Sequence, residues 1–165
     1  DMPRVNLFAG QTPVEMFRTA MNLEKGAQIF YESVGQGHSG HTWAQTFAGL
    51  AHAEVAHAKV VYGFWREAQQ DPAPFEALYD QLAGDVLEGG LTLKTVLEKA
   101  ASVQSQACLR LIEMALQIEY AAFDLYRTLA DQAEAEAGRS AFSALAQAEK
   151  AHMRSLVRAL EGCER

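Results

Sequence analysis

An all-α four-helix bundle made of two duplicated helical hairpins is the fold class that the sequence predicts. Three observations carry it: long stretches bounded by helix start and stop signals, no period-two alternation bounded by turn pairs, and an internal repeat at an offset of 95 residues. Laid over Phe142-Ser-Ala-Leu-Ala-Gln-Ala-Glu-Lys-Ala-His152, the segment Phe47-Ala-Gly-Leu-Ala-His-Ala-Glu-Val-Ala-His57 gives seven identities in eleven positions. The same offset carries Glu24 onto Glu119, Ala27 onto Ala122 and Tyr31 onto Tyr126.

Each element follows from local signals. Thr12-Pro13 supplies an N-cap and a first-turn proline, and no breaker interrupts Val14 to Val34 before Gly35, which sets helix 1 at about 13–35. Thr42 is read as the cap of helix 2, about 42–70, which Asp71-Pro72-Ala73-Pro74 ends because proline cannot continue a helix. The crossover, about 71–104, holds one short helix before Gly89 and Gly90 and a second, capped by Thr92, around Leu93 to Ala101. Helix 3 spans about 105–135, Gly138 marks its end, and helix 4 spans about 139–160. The 165 residues read as a single domain, long enough to bury its own core. The short gaps inside each hairpin make its two helices antiparallel. The crossover is long enough to return along helices of about 33–45 Å, so the order is up-down-down-up, with a pseudo-twofold relating the hairpins.

Composition narrows the partners. With 49% hydrophobic and 21% charged residues, the chain is that of a folded protein, and its net charge of −7 argues against nucleic acid or an anionic membrane. No apolar run reaches membrane-spanning length, and no signal-peptide pattern is read at the start. Cys108 and Cys163 lie 55 residues apart without any Cys-x-x-Cys, so neither a disulfide framework nor an iron or zinc knuckle is expected, and a reducing cytoplasm is the expected location.

The residues that repeat are those suited to metal chemistry. Glu54 and His57 are spaced i, i+3, as are Glu149 and His152, so each pair projects from one helix face. Glu24 and Glu119 each precede the following motif glutamate by thirty residues. The pseudo-twofold turns four carboxylates and two imidazoles toward one centre, which is the ligand pattern of dinuclear carboxylate bundles. Each half offers one terminal carboxylate, one glutamate able to bridge, and one histidine nitrogen. Random placement of fifteen Glu and five His yields about half a Glu-x-x-His match, so the information lies in the duplication of the motif with its flanks. The competing reading, exposed residues kept after a duplication, conflicts with Leu50-Ala51 and Leu145-Ala146, which set the motifs beside an apolar face.

This pattern, with a tyrosine seven residues after each of Glu24 and Glu119, resembles the rubrerythrin and bacterioferritin branches of the ferritin-like superfamily, from about Val14 to Leu160. The resemblance implies a ferritin-like bundle, two iron ions reacting with peroxide or dioxygen, and a homodimer, for which the arm around Val5 to Phe8 is a candidate contact. Two departures stand out. Rubrerythrins carry a second helix-3 glutamate three residues after the first, where this chain has Ala122, and commonly a rubredoxin-like domain, for which it has no Cys-x-x-Cys. Ala27 and Ala122 either leave open positions at the metals or simply allow close helix packing. Tyr31 and Tyr126, nearly two turns beyond the glutamates, either hydrogen-bond ligand carboxylates of a facing helix, donate electrons, or are ordinary core tyrosines. His38, His41 and His52 are read as non-ligands, and Glu113 and Asp124 as pointing away from the metals.

The donor set suits iron, manganese or zinc alike. Three functions fit it. A peroxidase or ferroxidase would need an external electron-donor protein, a di-iron oxygenase or hydroxylase would need a pocket for an organic substrate, and a metal-binding bundle would bind without turnover.

Overall fold

A computed structural model describes residues 10–163 of the chain. The arm around Val5 to Phe8 lies outside them. Six α-helices follow one another: α1 (Pro13–Gly37), α2 (Ala44–Glu67), α3 (Phe75–Gln81), α4 (Leu93–Ala101), α5 (Ala107–Gln132) and α6 (Glu136–Glu161). Among the described residues there is no strand, only an isolated antiparallel bridge between Val86 and Thr92. The protein is an all-α bundle of the ferritin-like kind. One groove is lined together by His41 and Trp43 before α2, Gln106 and Cys108 at the start of α5, and Leu160 and Cys163 at the end of α6. The end of α1, which the turn from His38 joins to α2, lies there too, so α2 and α5 run away from this end while α1 and α6 run toward it. That is the up-down-down-up order.

Local chemistry sets the helix ends. Thr12 and Glu15 form a capping box, the Glu15 N–H donating to Thr12 Oγ1 (3.3 Å) and the Thr12 N–H to Glu15 Oε2 (2.7 Å), with Pro13 in the first turn. Thr92 accepts from the Thr95 N–H at 3.2 Å to start α4. Helix α2 begins without the Thr42 side-chain cap: Thr42 and Trp43 instead lend backbone carbonyls to Gln45 and Thr46, a tight first turn led by Trp43. Gly138 does not end a helix but sits in the first turn of α6. The break falls earlier, at extended Ala133 and Ala135, where the Arg139 guanidinium donates to the carbonyls of Ala133 (3.0 Å) and Glu134 (2.9 Å).

The core divides into two apolar clusters. Phe30, Val34, Phe47, Leu111, Ile112 and Leu156 fill the end near the α1–α2 turn, with Leu87 and Val96 from the crossover. Met21, Val61, Trp65, Leu129, Phe142 and Leu145 fill the other, with Leu78 and Leu82. Each fully buried side chain of this size contributes about 1.5–3 kcal/mol, which offsets the cost of the polar layer held between the two clusters.

The crossover is fastened to α1. Asn22 accepts from the Gly84 N–H (2.8 Å) and donates to Asp85 Oδ1 (3.1 Å), while Lys25 donates to the Tyr79 carbonyl (2.6 Å). Gly26 allows the closest approach, since a Cβ there would stand 2.5 Å from the Val86 carbonyl oxygen. Gly26→Ala is therefore expected to push the crossover off α1 and to lower stability by about 1–3 kcal/mol, read by urea unfolding.

Cys108 and Cys163 are joined by a disulfide with Cα atoms 5.5 Å apart. This corrects the reading of two unconnected cysteines. Antiparallel α5 and α6 bring the first turn of one beside the second residue after the other, a proximity that a sequence separation of 55 conceals.

Candidate metal centre

Four helices place one layer of polar side chains between the two apolar clusters. Helix α1 brings Glu24, α2 brings Glu54 and His57, α5 brings Glu119, and α6 brings Glu149 and His152. The four glutamates are at most 2% exposed. Donor atoms of Glu24, Glu54, His57 and Glu149 all lie within 4.8 Å of one another, and so do those of Glu54, Glu119, Glu149 and His152. Each quartet has its own terminal carboxylate and imidazole, and the two share Glu54 and Glu149. The imidazoles face each other, ring centres 5.2 Å apart and tilted by 15°. His57 Nδ1 lies 2.9 Å from Glu149 Oε1, and His152 Nδ1 lies 3.1 Å from both Glu119 Oε2 and Glu149 Oε2.

Sequence comparison bears on the second hairpin directly. Residues 110–165 match the rubrerythrin family. The match covers about a third of the chain and takes in most of α5 and all of α6, with Glu119, Glu149 and His152 inside it. Rubrerythrins are a ferritin-like di-iron family. No curated protein and no solved structure matches the chain. The rubrerythrin-like hairpin is the one that α1 and α2 repeat 95 positions earlier, so the half beyond the match carries Glu24, Glu54 and His57 at corresponding positions.

The centre of the bundle fits a pair of cations. Glu24 Oε2, Glu149 Oε1 and His57 Nδ1 are buried without a hydrogen-bond partner, although His57 Nδ1 and Glu149 Oε1 are only 2.9 Å apart. Two donor atoms that close, without a hydrogen bond between them, can both reach one cation. Among the described residues, the ion pairs of Lys and Arg are made with Glu98, Asp124 and Glu136, none of them in the layer. Without cations three of the four carboxylates are held toward their protonated form. Burial raises the pKa of Glu24, that of Glu54 further with help from the Glu24 charge, and that of Glu119 to about 8. Burial acts the same way on Glu149, but the hydrogen bond with His152 and the charge of the adjacent His57 overcome it and bring the pKa down to about 2.

The tyrosines cross between hairpins. Tyr31 of α1 donates to Glu119 Oε1 of α5 (2.6 Å), and Tyr126 of α5 donates to Glu24 of α1. Both rings are fully buried, and burial together with Glu119 or Glu24 raises each phenol's pKa, keeping the proton that orients the terminal carboxylate. Ala27 and Ala122 are buried one turn beyond Glu24 and Glu119. His41 instead stacks on Trp43, His38 lies tilted against the same ring, and His38 Nδ1 is 3.0 Å from the Val34 carbonyl oxygen. Sequence reasoning missed Glu88 of the crossover, which is 4% exposed with both carboxylate oxygens unpartnered. It has no counterpart in a repeat, and its one signal is an acidic residue set between Leu87 and the Gly89-Gly90 turn.

Proposed function

We propose that the protein is a di-iron oxidoreductase of the peroxidase or ferroxidase type, acting on hydrogen peroxide or dioxygen. The observation that carries this reading is the pair of overlapping four-donor groups sharing Glu54 and Glu149. Glu24 and His57 would hold one ion, Glu119 and His152 the other, and the two shared glutamates would bridge them. The four carboxylates balance two divalent ions in charge, which removes the repulsion that burial imposes on them. Imidazole and carboxylate donors suit iron, and also manganese or zinc. Bound as a ferrous pair, the metals supply the two electrons that reduce peroxide to two waters, with two protons taken up.

The chain's own groups do the positioning. Tyr31 and Tyr126 fix the terminal carboxylates Glu119 and Glu24 by hydrogen bonds from the opposite hairpin. The His152 side chain, 18% exposed against 8% for His57, is the more open edge of the layer and the side from which a small oxidant would approach. Electrons return from an external donor protein, and the working form is a homodimer. The Cys108–Cys163 bond favours an oxidising compartment over the cytoplasm, where thiols are kept reduced.

The test is anaerobic loading with ferrous iron, then rapid mixing with peroxide or with dioxygen. Two iron ions per chain, oxidised on mixing, are expected. Iron that binds but stays ferrous with both oxidants would reject the redox reading and leave a metal-binding bundle.

A further inference from the structure

Glu88 is the buried acid that the two quartets leave out. It lies in the turn between α3 and α4, held by the Leu87 N–H donating to the Leu91 carbonyl (2.9 Å) and the Gly90 N–H to the Leu87 carbonyl (3.0 Å). Gly89 and Gly90 adopt φ of 91° and 85°, a conformation that favours glycine and turns the chain tightly after Glu88. The turn spans the gap between the hairpins. On one side the Val86 carbonyl lies against Gly26 of α1, and on the other a Cβ at Gly89 would stand 3.7 Å from Cβ of Ala121 on α5. The turn that carries Glu88 thus enters between α1 and α5, against Gly26 and Ala121, the chain neighbours of Ala27 and Ala122. Its carboxyl interacts electrostatically with Glu24, Glu149 and Glu119, acids from three of the four bundle helices. Both of its carboxylate oxygens are buried without a hydrogen-bond partner.

We propose that Glu88 is a seventh ligand of the dinuclear centre, a carboxylate that the crossover delivers into the room left by Ala27 and Ala122. The inference rests on the dinuclear reading above. Glu88 stands outside the groups whose donors lie within 4.8 Å of one another, so ligation moves its carboxylate toward the metals by side-chain torsions while the pinned turn stays in place. Two physical arguments support the role. A buried carboxylate without partners destabilises a fold, so Glu88 contributes nothing to the metal-free protein that an apolar residue would not exceed. The five buried glutamates also carry one more negative charge than two divalent ions offset and one fewer than two trivalent ions, so the added carboxylate is matched to an oxidised pair.

Cobalt(II) titration of the metal-free full chain tests this, comparing wild type with Glu88→Gln and Glu88→Leu by calorimetry and by visible absorption. Wild type is expected to bind two ions. Both variants should bind at least one of them about 10- to 100-fold more weakly, with stronger visible bands as the coordination number falls. The metal-free melting temperature of Glu88→Leu should equal or exceed that of wild type, an outcome that a merely structural Glu88 would not give. Wild-type affinities and spectra in both variants would overturn the inference while leaving the dinuclear centre intact. A wild-type protein that fails to bind two ions would overturn the dinuclear reading and this inference with it.

Discussion

Replacing Cys108 and Cys163 together by serine is expected to lower the stability of the metal-free protein by about 4 kcal/mol, the loop-closure entropy lost when a cross-link closing 55 residues is released in the denatured chain. For a chain of this length that is a fall of about 8–16 °C in melting temperature. The link encloses the α5–α6 hairpin, from the first turn of one helix to the residue pair that follows the other. Its loss therefore acts on how far that hairpin's ends can separate in the unfolded state. Cys108 precedes Glu119 by eleven residues, about 16 Å along the helix, so the metal layer lies well away from the bond. The measurement is thermal unfolding beside metal titration. A serine variant that melts with the wild type would contradict the assignment of the bond as a structural cross-link, and one that still binds two metals at wild-type affinity would show that stability and metal binding separate.

The same hairpin shows what could be read from the sequence and what could not. Glu119, Glu149 and His152 were legible because a duplication repeats them at one offset, and repetition on a helix face is a signal that periodicity can carry. The cysteine pair was legible in principle but needed a register. Eleven residues make three helical turns, so stepping back by eleven from Glu119 and forward by eleven from His152, two residues in contact at 3.1 Å, arrives at Cys108 and Cys163 on the same faces. Without that contact, two cysteines 55 apart gave no reason to meet. Helix starts erred where backbone carbonyls did what a side chain was expected to do, as at Thr42 and Trp43. Glu88 was beyond the method altogether, because a loop has no period and its burial depends on Gly26 admitting the Val86 carbonyl, a tertiary contact.

Metal loading is expected to produce the largest change of all, and pH should reverse its apparent benefit. With free metal at about a thousand times the dissociation constant, each site adds about 4 kcal/mol to the stability of the fold. The metal-free protein behaves in the opposite sense to an ordinary acidic domain. Burial lifts Glu24 and Glu54 and carries Glu119 to about 8, so the folded chain keeps protons that the unfolded chain has released. Stability from these groups is complete below the usual carboxylate pKa and is lost as pH rises through their raised values, about 8 for Glu119. Burial alone would lower His152, but hydrogen bonds to Glu119 and Glu149 raise it to about 10, and its contribution likewise fades from the ordinary histidine pKa upward through that value. Glu149, held down to about 2, works the other way, its contribution lost only as pH falls from the usual carboxylate pKa through that value. Metal-free stability should therefore peak near the usual carboxylate pKa and decline steadily into the alkaline range. Metal ions displace those same protons, so their affinity, and the gap between loaded and metal-free melting temperatures, should widen as pH rises. Scanning calorimetry of both forms at mildly acidic, neutral and mildly alkaline pH reads the two slopes. A metal-free protein whose melting temperature rises over that range would show that Glu24, Glu54 and Glu119 are not the proton-holding, metal-exchanging group that their burial makes them.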